Sequence, residues 1–464
     1  MGSKWEKVRL GDYCIKIGSG ATPKGGSSVY TDTGNTYFIR SQNIYNDGFN
    51  TNGLVFINDE AAFKLKNVEV QENDVLINIT GDSVARVCIA PGSFLPARVN
   101  QHVAIIRPKS NEFDSRFLRY FLSSPHQQAL LLTLASAGAT RHALTKGMIE
   151  DLQVPKPPLN IQISIANILE FFDKKIEKNN YQNQTLEKMS QTLFKSWFVD
   201  FDPVIDNALD AGNPIPEALQ SRAELRQKVR NCADFKPLPA EIRSLFPSEF
   251  EETELGWVPK GWTLKSVAKS ININPSLKLP KNKIAKYVDM KSLPTQGYSI
   301  SDIIEKPYSG GAKFQNNDTL FARITPCLEN GKTGFVDFLD EKETAFGSTE
   351  FIVMRGTPQV HYLYVACLAR ESNFRLHAIQ NMVGSSGRQR VQNSCFDSFY
   401  IAIPTPAVMS LFSGKVSSYF DKMYFCNLEN KSLTALRDTL LPKLISGELS
   451  LEDLPDLTTN TEAA

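Results

Sequence analysis

The sequence predicts an α+β chain, two strand-rich domains separated by a two-helix coiled coil and related by an internal pseudo-twofold repeat. Self-similarity is the first observation. Ser136-Ala-Gly138-Ala-Thr-Arg141, then Val154-Pro155-Lys-Pro157, resembles Ser385-Ser-Gly387-Arg-Gln-Arg390, then Ile403-Pro404-Thr-Pro406. Gly138 and Gly387 are 249 residues apart, as are Pro155 and Pro404. Val70-Gln-Glu-Asn73-Asp74-Val-Leu76 resembles Phe314-Gln-Asn-Asn317-Asp318-Thr-Leu320 at a separation of 244, and Trp5 has a counterpart in Trp262. A long-period match of this kind marks a duplicated unit. Because the separation drifts, the copies share a scaffold but differ in their loops, as expected for two sites of one kind that read different things.

The second observation is heptad spacing after each Pro-x-Pro. Ile165, Phe172, Asn179, Leu186 and Leu193 recur every seven residues, with Leu169, Ile176, Asn183 and Trp197 at the intervening d positions. Phe412, Tyr419, Cys426, Leu433 and Leu440 form the same a series later, with Val416, Met423, Asn430 and Leu444 at d. Apolar residues every 3.5 positions make a seam that another helix can cover. The a positions are displaced by 247, which also carries Asn183 onto Asn430. Two matched seams in one chain favour pairing with each other over two unrelated amphipathic helices, each packed on its own domain. Pro442 is expected to end or kink the second helix early.

The elements follow in order. Residues 1–157 form the first strand-rich domain, with alternating runs such as Val75-Leu-Ile-Asn-Ile79 broken by Gly, Asn and Asp, and some helix in Arg116–Leu134. Residues 158–200 are the first long helix. Residues 201–261 read as a Pro-rich acidic connector, with seven prolines from Pro203 to Pro259 and one short helix near Pro216–Val229. Residues 262–406 are the second strand-rich domain, with Glu350-Phe-Ile-Val-Met354 as a strand and helix in Tyr362–Ile379. Residues 407–447 are the second long helix, and 448–464 a polar tail expected to fray.

Composition narrows the class. With 42% apolar and 22% charged residues the chain is an ordinary folded protein, too long at 464 residues for one core. No stretch approaches the roughly 20 apolar residues of a membrane span, and Met1-Gly-Ser-Lys-Trp5 lacks the apolar run of a signal peptide, so a cytoplasmic location is expected. The cysteines, 7 in number and never spaced C-x-x-C, read as reduced thiols. Lys plus Arg number 51 against 50 Asp plus Glu, so any nucleic-acid surface must be local or completed by another subunit.

Catalytic patterns fail on inspection. Gly331-Lys332-Thr333 lacks the earlier glycine of a phosphate-binding loop and reads as a turn into the strand starting at Gly334. Gly18-Ser-Gly20 lacks a third glycine and a following helix, the five histidines show no metal-ligand spacing, and there is neither a G-x-S-x-G elbow nor an Asn-Pro-Pro-aromatic tetrapeptide. No catalytic residue and no metal ligand is therefore assigned.

What remains is a set of polar loops. Arg40, Ser41, Gln42 and Asn43 follow an apolar run and combine a guanidinium with amides, the groups that read guanine and adenine edges. Arg86 in the first half is placed comparably to Arg323 and Lys332, which flank a loop in the second. Thr140, Arg141 and His142 after Gly138, and Ser386, Arg388, Gln389 and Arg390 around Gly387, set cations and hydroxyls beside glycines, a form suited to phosphate contact. Arg141 and Arg390 are expected to be phosphate-type. Each loop alone could be an ordinary solvated loop, but the recurrence of Gly-x-x-Arg at one scaffold position favours function.

Together with Trp197-Phe-Val-Asp200-Phe-Asp-Pro203, Leu255-Gly-Trp257-Val-Pro-Lys-Gly-Trp262 and the ending Leu440-Leu-Pro442-Lys-Leu-Ile-Ser-Gly447-Glu-Leu, this order of elements resembles the specificity subunit of a type I restriction-modification system, the HsdS family. The resemblance covers nearly the whole chain. It implies a non-catalytic, DNA-binding subunit whose two target recognition domains bind the halves of an interrupted asymmetric DNA sequence, held apart by an antiparallel coiled coil. It further implies two modification subunits that bind S-adenosylmethionine and methylate adenine, and restriction subunits using ATP and Mg, with no cofactor in this chain. Two rivals are a self-contained adenine methyltransferase, which would need a cofactor motif not found here, and a protein-binding adaptor without DNA affinity.

Overall fold

The computed structural model describes residues 4–136, 143–385 and 387–451. The expected polar tail beyond 451, and the loop residues Thr140, Arg141, His142 and Ser386, lie outside them. The chain divides into two compact units, 1–178 with 430–464, and 179–429. Both long helices pass through the division, and each unit is described by itself.

In the first unit a four-stranded sheet has the order Val87–Ile89, Val75–Asn78, Val103–Pro108, Cys14–Ser19. Val75, Leu76, Ile77 and Asn78 are all buried, as expected of a short central strand covered on both faces. A second sheet has the order Tyr30–Thr31, Val55–Ile57, Thr36–Ile39, Ala97–Val99, Glu69–Val70, in which the third and fourth strands run parallel. The helix Ser115–Ser123 starts where the Asp114 carboxylate accepts from the N–H groups of Arg116 and Phe117. It is followed by Pro125–Ser136, so the helical stretch read as one is two. Phe117, Leu118 and Leu122 join Val75, Ile77, Val87 and Ile106 in one core, which Ile165, Leu169, Leu441 and Leu444 of the long helices complete.

The second unit has a similar strand order, with one strand fewer in its second sheet. Its four-stranded sheet runs Thr333–Phe335, Thr319–Ala322, Phe351–Arg355, Asn272–Ile273. Its other sheet runs Ile304–Pro307, Ile284–Val288, Ala345–Gly347, Ala312–Phe314, again with the second and third strands parallel. Helices Tyr362–Arg370 and Ser372–Gln380 occupy the place of the first unit's pair. Gly331, at φ 75°, turns the chain into the strand at Thr333, as expected.

The long helices are Leu159–Phe194 and Pro406–Ser446. In the second unit Asn179 Nδ2 donates to Glu429 Oε2 at 2.7 Å and Asn183 Nδ2 to Asn427 Oδ1 at 2.8 Å, while Phe194 packs on Phe412, so these segments run antiparallel. In the first unit Arg437 Nη1 donates to Asp173 Oδ1 at 2.8 Å. Ile165, Leu169, Phe172, Trp197, Phe412, Val416, Met423 and Leu444 are buried. Ile176, Leu186, Leu193 and Leu433 are half-buried. The seam departs from strict heptads at three places. Phe420 and Leu441 are buried where Tyr419 and Leu440 were expected, and Ser190 fills the d position that no apolar residue claimed. An α-helix has about 3.6 residues per turn and drifts from a 3.5 repeat, and here both helices also pack into the cores of the units they pass through. Asn183 is bonded to Asn427 rather than to Asn430. Pro442 does not end the helix, which continues to Ser446 and stops where Gly447 turns left-handed at φ 74°.

The connector is more ordered than one short helix. It holds helices Asp202–Ala211, Gln220–Arg230 and Ala240–Arg243, and the hairpin Phe250–Thr253 with Gly256–Pro259. A π-helical turn over Lys195–Val199 ends the first long helix, and Phe201 takes a left-handed φ of 54°, packing on Phe250 and Trp262. Such backbone for a bulky residue persists only when its surroundings hold it. Asp202 accepts Ser196 Oγ at 2.8 Å and both Arg222 Nε and Nη2 at 2.7 Å. Arg226 pairs with Asp206 and Arg230 with Asp210, so three acids and three arginines, each spaced by four, zip two parallel helices together.

Candidate nucleic-acid interface

In the second unit the fold gathers several of the expected residues at one edge. The bridge between Ile324 and Arg390 brings the 323–325 turn beside the 388–391 segment. Thr325 N donates to Gln389 O at 3.1 Å, Gln389 N to Thr325 Oγ1 at 3.1 Å, and Arg323 Nη2 to Val391 O at 2.8 Å. Arg390 is not free. Its Nε and Nη2 donate to Glu350 Oε2 and Oε1 at 2.9 and 2.7 Å, while Arg323 N donates to Glu350 O at 3.0 Å. The Arg390 guanidinium holds the Glu350 carboxyl below its ordinary value, outweighing the opposite pull of burial. Arg388 is exposed, and Lys332 is tied by Nζ to the Met290 carbonyl at 2.8 Å.

The first unit has the same geometry with different chemistry. Thr80 bridges Ala143 as Ile324 bridges Arg390, and Ile79 N donates to His102 O at 2.9 Å as Arg323 N does to Glu350 O. Thr80 Oγ1 and His102 Nδ1 lie 2.5 Å apart. Arg40, Ser41, Gln42 and Asn43 form a separate turn. Asn43 is buried, its Oδ1 accepting Arg40 N at 3.0 Å and its Nδ2 donating to Asn50 O at 2.8 Å, so it ties the loop down and offers no edge to a base. Arg40 donates to Gly53 O and lies 5.4 Å from the Tyr30 ring, leaving Gln42 as the exposed amide. Arg86 lies elsewhere, 4.5 Å over Tyr45 in a cleft of about 410 Å³ shared with Arg119 and Arg437. Asp173 pairs with both of those arginines. Burial would push the Asp173 carboxyl up, but Arg119, Arg437 and Tyr120 hold it below its ordinary value. Arg86 has no carboxylate partner among the described residues.

Sequence reasoning missed Thr80, His102 and Glu350. Placing Ile79-Thr80 on Arg323-Ile324, at the separation of 244 already found for the neighbouring turn, would have found the position. Among the described residues no three His, Cys, Asp or Glu side chains assemble as a metal site, and no helix is long and apolar enough to cross a membrane.

Residues 2–188 match the Type I restriction modification DNA specificity domain. The chain is also 24% identical over 470 residues to the type I restriction enzyme HindI specificity subunit of Haemophilus influenzae, covering 96% of this chain and 100% of that one. The chain is similar to the type I restriction-modification specificity subunits over nearly its whole length. A second relative is the type I restriction enzyme MjaIX specificity subunit of Methanocaldococcus jannaschii, 26% identical over 371 residues and covering 77% of this chain and 74% of that one. The type I restriction-modification S subunit crystal structure from M. genitalium superposes on this chain with a TM-score of 0.50 at 16% identity, covering 95% of this chain and 96% of that one, a likeness of fold.

Proposed function

We infer that the chain is the DNA-reading, non-catalytic subunit of a type I restriction-modification complex. The observation that supports this best is the recurrence of one strand framework with a polar edge at the same place, carrying Thr80 and His102 in one unit and Arg323, Glu350 and Arg390 in the other. A scaffold held constant while its edge chemistry changes suits two readers of different sequences. On this reading residues 1–157 and 262–406 are target recognition domains, each binding one half of an interrupted asymmetric target. Two modification subunits supply S-adenosylmethionine and the adenine-methylating chemistry, and two restriction subunits supply the ATP- and Mg-dependent steps. Phosphate neutralisation is shared with these partners, which fits 51 basic against 50 acidic residues in this chain.

The two long helices form the antiparallel spacer between the domains. A heptad inserted in both adds about 10 Å, close to three base-pair rises of about 3.4 Å. The test is methylated-adenine sequencing of cells carrying the chain with its modification partner. The native chain should direct methylation at a bipartite target. The lengthened chain should widen the gap and leave both half-sites unchanged. An unchanged gap in an assembled complex refutes the spacer role, and methyl transfer by the purified chain alone refutes the non-catalytic reading.

A further inference from the structure

Glu350 and Arg390 form the one carboxylate–guanidinium pair in the polar edge just described. The pair is reachable, since the side chains of Arg390 and Glu350 are 43% and 23% exposed. Its geometry is side-on: Glu350 takes Nε and Nη2, and Nη1 has no partner among the described residues. A guanidinium has five N–H donors in a fixed plane. Side-on pairing engages two of them and leaves an end-on edge, one N–H from each terminal nitrogen, with its plane fixed by the carboxylate. Two parallel donors at that spacing match O6 and N7 of guanine in the major groove.

Electrostatics points the same way. A phosphate contact gains from an uncompensated cation, and Glu350, ionised because Arg390 holds its carboxyl low, offsets that charge. Hydrogen-bond direction, by contrast, survives charge compensation. The Gly-x-x-Arg reading had made Arg390 a phosphate ligand, and the ion pair argues against that.

We propose that Glu350 is a positioning residue that orients Arg390 to read a guanine in the half-site bound by the second domain. The proposal rests on the DNA-reading function inferred above and adds the residue that sets specificity there. His102, at the corresponding place in the first unit, provides no carboxylate, so the two domains read different bases from one scaffold position.

The test uses the full chain assembled with its modification subunits, and Glu350→Ala and Glu350→Gln variants. Methylated-adenine sequencing defines the native target. Duplexes carrying each of the four base pairs at every position of the second half-site are then compared in binding at two salt concentrations. Glu350→Ala should lose about tenfold or more of the discrimination at a single G·C pair, with the first half-site and the salt slope unchanged. Glu350→Gln, which keeps size and one acceptor oxygen, should lose less, and it decides the matter if the alanine variant does not assemble. The proposal is overturned if the variants keep every base preference, whether or not the salt slope steepens by about one as a freed phosphate contact would make it. If the unaltered complex shows no sequence-selective binding, the DNA-reading function itself fails, a separate outcome.

Discussion

Arg355 donates from Nε and Nη2 to the two carboxylate oxygens of Asp318 at 2.6 and 2.7 Å, and Arg107 grips Asp74 the same way at 2.7 Å in the other unit. Both carboxylates are fully buried, and each also accepts a backbone N–H across a tight turn, from Gln315 and Gln71 respectively. Burial pushes the Asp318 carboxyl above its ordinary value even with Arg355 opposing it. Arg355→Ala should therefore destabilise its unit by about 3 to 5 kcal/mol, because it strands a buried charge. Hydrogen exchange should show the loss in the strand Thr319–Ala322 and spare Val75–Asn78. A loss below about 1 kcal/mol would show that the pair is dispensable.

Asp337 provides a pH handle. Burial raises its carboxyl to about 6, from an unfolded value near the usual carboxylate range of about 4. A raised acid binds its proton more tightly when folded, so stability increases as pH falls from above 6 towards 4. Asp337→Asn should stabilise the chain at pH 7.5 by up to about 2 to 3 kcal/mol, with the gain vanishing near pH 4. Denaturant midpoints of both proteins across that range provide the comparison; a difference that stays constant with pH would contradict the assignment.

Asn183 and Asn427 place a polar contact between the two long helices. Replacing Asn183 alone by Leu leaves the Asn427 amide without its partner and should lower stability by about 1 kcal/mol. Replacing both by Leu should raise the melting temperature while loosening register, since a polar layer in an apolar seam trades stability for alignment. Melting of the three variants, with the spread of gap lengths in the methylated target as a second readout, tests both parts.

The ladder of Asp202, Asp206 and Asp210 with Arg222, Arg226 and Arg230 should hold the connector helices together. Asp206→Ala removes the middle rung and leaves the mostly buried Arg226 guanidinium only its longer ion pair to Asp202, at 3.9 Å, costing about 1 to 3 kcal/mol. Limited proteolysis should then cut residues 212–250 faster, with the recognised DNA sequence unaltered. Equal protease resistance would show that the rung adds nothing.

In the first unit Gln42 and Asn43 should behave differently although adjacent. Gln42→Ala should alter base preference in the first half-site alone. Asn43→Ala should lower stability by about 1 to 3 kcal/mol, because it leaves Arg40 N–H and the Asn50 carbonyl unpaired. Binding selections and thermal melts separate the two. A specificity change from Asn43→Ala without any destabilisation would reverse the assignment.

The features legible in the amino-acid sequence are those that short-range rules determine. The Asn-Asp turns at 73–74 and 317–318 follow from residue type, with Asn73 and Asn317 at φ 68° and 71°. Heptad spacing marked Ile165, Leu169, Phe172, Phe412, Val416 and Met423, all of which are buried. The connector ladder was legible too, as Asp and Arg repeating every four residues, had that spacing been sought. The motif order was enough to point to the specificity subunits that the chain is similar to. Tertiary structure decided what depends on distant partners. Asn43 turned inward because two backbone carbonyls of its own loop needed a donor, and Phe420 and Leu441 displaced their neighbours because each helix packs on a domain as well as on the other helix. Arg390 acquired Glu350, 40 residues away in sequence, only when the bridge to Ile324 brought its strand alongside. Charge, size and local spacing are written in the chain, whereas which polar group meets which is set when strands far apart in sequence become neighbours and buried donors must find acceptors.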